Sequence, residues 1–261
     1  MSSEKCIWVV VLAMLTTFVP AFTQAASITS GTFTMNLNRD ALAQMISNPS
    51  GTPPSLYLEE FWNAPASASL TATQINTPGV ADLVQGTGEI PATGLAYDVT
   101  GATVTNPAGR AIQATNFSYD PSNLTGTASG QIGLGGDMRF MGNFPGFLAS
   151  GDYALKYDAT RVGNAAGGSG WYLVNNYGFS IPGWDLTNVT VSSNPFSLSL
   201  SGTLKWSPEV ASAFFTTSDI GQPMGTFSFV TPVPLPAAAW LFGSGVTGLA
   251  ALSRRRAVTQ R

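Results

Sequence analysis

The chain has 261 residues, 44% hydrophobic and only 10% charged, with 28 glycines and a formal net charge of −3; an average soluble domain is roughly 25% charged. There is no histidine, and the one cysteine, Cys6, lies in the segment read below as a leader. The exported chain is therefore expected to form no disulfide, no zinc site of nitrogen or sulfur ligands, no cysteine nucleophile and no Ser-His-Asp triad.

Lys5 precedes an apolar run from Ile7 to Val19, which Pro20 breaks before small residues lead to Ala25 and Ala26. That pattern predicts a secretory signal peptide over 1–25, since the run falls short of the roughly 20 apolar residues that span a bilayer. Residues 26–231 then form an exported body. It carries six basic residues (Arg39, Arg110, Arg139, Lys156, Arg161, Lys205) and thirteen acidic ones, with no basic cluster to neutralise phosphates, so nucleic acid is excluded as a partner.

Within the body, Thr32–Leu37 alternates apolar and polar residues as a half-buried strand does, and Arg39–Ser47 has helical spacing. A helical turn is expected at Glu59–Trp62. Glu59 and Glu60 beside Phe61 and Trp62 bring a glycosidase or a sugar contact to mind, but two catalytic carboxyls must lie roughly 5 to 10 Å apart across a bond, a geometry adjacent residues seldom reach. The pair reads as an amphipathic surface turn. Asn63–Gly79, rich in Ala, Ser, Thr and Pro, reads as a long loop or a flexible insertion.

Alternation returns at Ala111–Ala114, Phe196–Trp206 and Gly225–Val230, and Pro208–Phe215 reads as a helix with Ser207 as its cap. Turn chemistry falls at Asn106-Pro107, Asp120–Asn123, Gly135-Gly136-Asp137 and Ile181-Pro182-Gly183. The expected fold is mainly β, an antiparallel sandwich or open barrel, flanked by an N-terminal signal helix and a C-terminal transmembrane helix.

Candidate chemistry in the body is sparse. Gly167–Tyr172 with Trp184-Asp185 places aromatics beside flexible loops, so Trp62, Trp171, Tyr172 and Trp184 are the candidate glycan contacts, with core packing as the competing role. Asp137, Asp152 and Asp158 lie near glycines, but their spacing matches no calcium loop. No catalytic, metal or cofactor residue is assigned.

The C-terminus is more specific. Val233-Pro234-Leu235-Pro236-Ala237 leads into an uncharged apolar stretch, Ala237–Leu252, followed by Ser253 and Arg254-Arg255-Arg256. Sixteen helical residues span about 24 Å against a hydrocarbon core of about 30 Å, enough with local thinning. The arginines should stay cytoplasmic, which puts the body outside. Gly243–Gly248 formally satisfies a dinucleotide fingerprint, but a segment so near the chain end has no room for the surrounding βαβ unit.

Motif, apolar helix and Arg cluster together resemble the PEP-CTERM class of sorting signals, in its VPLPA variant with Leu235 where the parent motif has Glu. The resemblance covers about a tenth of the chain. It implies that an exosortase, a multi-spanning inner-membrane cysteine transpeptidase, removes the tail. The segments around Ser118–Phe140 and Gly151–Trp171 also look like uncharacterised ectodomains that accompany this tail. Together these imply a non-enzymatic envelope or surface protein, held transiently in membrane lipid by residues 232–261. Its role is expected to be structural or adhesive in an extracellular polysaccharide matrix, with a carbohydrate-binding module and a carboxylate-based hydrolase as alternatives.

Overall fold

The computed structural model describes residues 25–45, 56–77, 89–141, 148–194 and 197–232. The expected signal peptide up to Gln24, the sorting motif Val233–Ala237, the transmembrane helix and the basic stop lie outside them. Among the described residues no helix is long and apolar enough to cross a membrane.

The described body is mainly β. Eleven strands run in chain order: β1 (Ala26–Ser27), β2 (Thr32–Leu37), β3 (Tyr57–Asn63), β4 (Leu95–Val99), β5 (Ser118–Tyr119), β6 (Ile132–Met141), β7 (Leu148–Tyr157), β8 (Trp171–Asn175), β9 (Ile181–Asn194), β10 (Ser197–Trp206) and β11 (Pro223–Pro232). All pairings are antiparallel. β6, β4, β2, β11, β10, β9, β8 and β7 follow one another, and β7 pairs back onto β6, so the sheet closes as an eight-stranded barrel rather than a sandwich or an open barrel. Closure is possible because β6 divides one edge between two partners. Leu134 and Gly135 pair with β4, and Gly136–Met141 pair with β3, which overlaps the barrel as a ninth strand. β1 and β5 make a separate two-stranded ribbon.

The wall formed by β4, β2, β11, β10 and β9 follows simple alternation. One cross-strand row reads Tyr97, Phe33, Phe229, Leu200 and points inward, and the next reads Thr34, Ser228, Ser201, Thr190 and points outward. Tyr97, Phe33 and Phe229 are fully buried, while Ser228, Ser201 and Thr190 are exposed. Aromatic side chains fill the interior: Phe33 stacks on Phe227 at 5.3 Å, Trp184 stacks on Trp206 at 3.7 Å, and Tyr97 meets Tyr153 edge-on at 5.5 Å. Each large apolar side chain so buried stabilises the fold by about 1.5–3 kcal/mol.

The short helices follow their caps. α1 (Arg39–Gln44) starts where the Asn38 side chain accepts from the Asp40 and Ala41 N–H groups, and it ends before the expected Ser47, which is outside the described residues. α2 (Ala64–Ser67) is capped by Asn63 and α3 (Ala72–Asn76) by a reciprocal Thr71–Gln74 capping box. These two helices occupy part of the segment expected to be a loop or flexible insertion. α4 (Leu124–Thr127) is a single turn, and α5 (Pro208–Phe214) has the expected Ser207 cap, whose hydroxyl accepts from Val210 N–H.

Four other expectations change. Glu59–Trp62 is strand rather than helix, because β3 pairs along its length with β6. Gly135-Gly136-Asp137 and Ile181-Pro182-Gly183 lie inside β6 and β9, where register shifts absorb the residues that read as turns. Ala111–Ala114 joins no ladder, and bonds such as Thr100 Oγ1 to the Gln113 carbonyl at 2.6 Å hold it instead.

Candidate functional site

The alternation that points Met138 and Phe140 into the barrel turns Asp137 and Arg139 outward, yet all four are buried. The cover is the α2–α3 segment, which lies over the outer face of β3, β6 and β7. Beneath it sits a small apolar cluster of Trp62, Ile75 and Tyr177, separate from the main core. Two buried arginines share this layer.

Arg139 is 2% exposed and faces two adjacent carboxylates. A register shift between Leu58 and Glu60 sets Glu59 and Glu60 together against it. Arg139 Nε donates to Glu59 Oε2 at 2.8 Å, Nη2 donates to Glu60 Oε2, and Nη1 donates to the Ile75 carbonyl of α3 at 2.5 Å. Its guanidinium carbon lies 5.3 Å from the centre of the Trp62 ring.

Arg110 reaches the same layer from the loop after β4. Nε and Nη2 grip Asp152 at 3.0 and 2.6 Å, Nη2 also donates to Asp137, and Nη1 donates to the Ser67 and Leu70 carbonyls at 3.2 and 2.9 Å. All five guanidinium N–H donors therefore have an acceptor. Asp152 holds a positive φ of 48°, a conformation aspartate tolerates better than most residues, opposite the irregularity in β6. Gly151 gives Asp137 room, since a Cβ there would sit 2.1 Å from Asp137 Oδ1.

One arginine cannot neutralise two carboxylates. Burial first, and then repulsion from Asp152, push the Asp137 carboxyl up to about 8, against the opposing pull of Arg110. Among the described residues its Oδ1 has no hydrogen-bond partner, and neither does the buried Tyr97 hydroxyl, whose own pKa burial raises well above the ordinary value. Burial and Asp137 likewise push the Tyr177 phenol up to about 12.

A third arginine, just after β7, repeats the pattern against the adjoining strands β8 and β9, nearer solvent. Arg161 donates Nε and Nη2 to Asp185 at 3.0 Å each, and Nη1 and Nη2 to Glu209 at 2.7 and 3.1 Å, with Tyr172 under its guanidinium at 4.6 Å. Burial opposes ionisation of Glu209, but the Arg161 hydrogen bonds outweigh it and hold that carboxyl below its usual value.

The expected site residues are thus distributed differently from the reading of the sequence. Trp62, Trp171 and Trp184 are 4%, 1% and 0% exposed, so none presents a ring face to a sugar; only Tyr172 is half-buried, and Arg161 covers it. Glu59 and Glu60 form no surface turn and no open carboxylate pair. Asp137 and Asp152 do converge, but on the Arg110 guanidinium, and Asp158 lies apart, accepting from Thr160 N–H and Oγ1. Among the described residues no group of acidic side chains is arranged to hold a metal ion. A cavity of about 20 Å³ lined by Ser150, Asn175, Phe179, Ile181, Trp206 and Phe214 is the size of one water.

What reading along the chain missed is the role of the arginines. The available signal was their scarcity, with Arg139 set inside the apolar run Met138-Arg139-Phe140.

No protein-family model matches the chain, and no curated protein matches it. Among solved structures, it is similar to the C-terminal domain of HtaA from Corynebacterium glutamicum over 80% of this chain and 99% of that one, at 12% identity and a TM-score of 0.39. Likeness at that level carries no argument about activity.

Proposed function

We propose that the chain is an exported envelope or surface protein, that an exosortase-type membrane transpeptidase processes its tail, and that the barrel serves a structural or adhesive role in an extracellular polysaccharide matrix without catalysis. The observation that carries this reading is the tail itself: Val233–Ala237, the apolar run to Leu252 and Arg254–Arg256 stand in the order a membrane-inserted sorting signal requires. Strand β11 adds to it by ending at Pro232, one residue before the motif. Processing at that motif would then occur close to the folded body. A body of this kind suits exposure outside the cell. A body of about two hundred residues can be stable on its core alone, without a disulfide.

Mass spectrometry of the mature protein from native cells, with and without the processing enzyme, tests the reading. The expected result is a C-terminus that stops short of the apolar helix only when the enzyme is present. An intact Arg261 in the exported, enzyme-positive sample would overturn it.

A further inference from the structure

The α2–α3 segment that seals the charged layer belongs to no ladder. Ala64–Asn76 carries no charged side chain, and its two helices are four and five residues long. It is held from below. Arg110 donates to the Ser67 and Leu70 carbonyls, Arg139 to the Ile75 carbonyl, and the Tyr177 hydroxyl reaches the Ala72 carbonyl at 3.0 Å and Asn76 Oδ1 at 2.6 Å. The Ala72 N–H donates to the Ala108 carbonyl at 2.9 Å, and the Ile75 side chain joins the small cluster with Trp62 and Tyr177.

The groups that face Asp137 are Arg110 from the loop after β4, Asp152 and Tyr153 of β7, Tyr97 of β4, Tyr177 after β8 and Ser67 of α2. Arg139 with Glu59 and Glu60 lies in the same layer. Arg110 balances one of its two aspartates, so the charge around it is neutral only while Asp137 keeps its proton. An ionised Asp137 needs water, and lifting the strap admits it without breaking a strand pairing of β6 or β7.

We propose that Ala64–Asn76 is a proton-locked cover, closed over Asp137 while that carboxyl is protonated and lifting as one unit when it ionises. Covered, Asp137 holds its proton up to about 8; uncovered, it is a solvated carboxyl near the usual value of about 3.9. Between these values the covered state binds the extra proton, so closure is firmest in acid, weakens as pH rises and levels off above about 8. Full linkage changes the opening equilibrium by about tenfold per pH unit inside that window. Lifting bares Trp62 and Tyr177 beside two arginines, an aromatic and cationic surface that the closed molecule hides. The device is independent of how the tail is processed.

Amide exchange on the full chain in detergent, read by mass spectrometry and corrected for the intrinsic pH dependence of exchange, tests this at about pH 5 and about pH 7. Peptides covering Ala64–Asn76 should have an opening equilibrium about 100-fold larger at the higher pH, and should exchange ahead of peptides from β10 and β11 at both. In Asp137→Asn the strap should show no such change. A strap that opens equally at the two pH values, or that exchanges only together with the barrel strands, would sink the proposal from the parent chain alone. So would a pH response that survives in Asp137→Asn, since Glu59 and Glu60 would then carry it.

Discussion

The barrel has two kinds of wall. From β4 through β2, β11 and β10 to β9, apolar side chains point in and hydroxyls point out, and the outer face meets water directly. Around β3, β6 and β7 the outer face is itself buried, under α2 and α3, and it is charged: Glu59, Glu60, Asp137, Arg139 and Asp152 all lie there at 4% exposure or less. The first wall is held by burial that tolerates small changes. The second relies on charges that are tolerable only while paired, since removing one partner costs far more than the pair contributes.

The sharpest way to break that contrast is Arg139→Met, which leaves Glu59 and Glu60 buried without a cation. Chemical denaturation should register a loss of about 3–5 kcal/mol, and adding Glu59→Gln and Glu60→Gln should recover most of it. Arg161→Met should cost less, about 2–3 kcal/mol: it leaves the buried Asp185 only the Asn164 amide at 2.7 Å, but Glu209 is 40% exposed and water can take over its solvation. Equal losses at Arg139 and Arg161 would dissolve the distinction between a sealed cluster and a wet one.

A second effect is a pH dependence carried by Asp137. The folded protein holds this proton up to about 8, whereas the unfolded chain releases it near the usual carboxyl value of about 3.9. Between those values the native state binds more protons, so stability must fall as pH rises across the window. Asp137→Asn mimics the protonated group, and denaturation midpoints for that variant should lose the slope. A slope as steep in the variant as in the parent chain would refute this assignment.

The smallest effects belong to the other wall. Ser201→Thr and Ser228→Thr, on the exposed outer row, should each shift stability by no more than about 0.5 kcal/mol in the same assay.

The same contrast explains what could be read from the chain. Thr32–Leu37 and the β10 and β11 runs were legible because each strand has one wet face and one dry face, so alternation marks them. Around β3 both faces are dry, and an irregularity puts two consecutive glutamates on one side, so the strand lost its period and Glu59–Trp62 resembled a helical turn. The glycines of Gly135-Gly136-Asp137 looked like a turn, although they sit within β6 where two partner strands meet. Trp171 opens β8 and Trp184 lies within β9, and no local signal reports that either ring turns inward. Partnership among Arg110, Asp137 and Asp152 is invisible to any local reading, because it joins residues 27 and 42 positions apart.

The pairing of β2 with β11 has a further consequence, for the order of events after synthesis. These strands join opposite ends of the body: Thr32 lies opposite Val230, and the Thr231 hydroxyl donates to the Ser30 carbonyl 201 positions away. Contacts of such range are slow to form, and here the first long strand waits for the last. A chain emerging from its amino end can assemble the hairpins from β6 to β10 while it is still being delivered, but the ring stays open until Pro223–Pro232 arrive. Because Val233, the next residue, opens the proposed sorting tail, completion of the barrel and emergence of that tail would be nearly simultaneous, with the final strand as the latch.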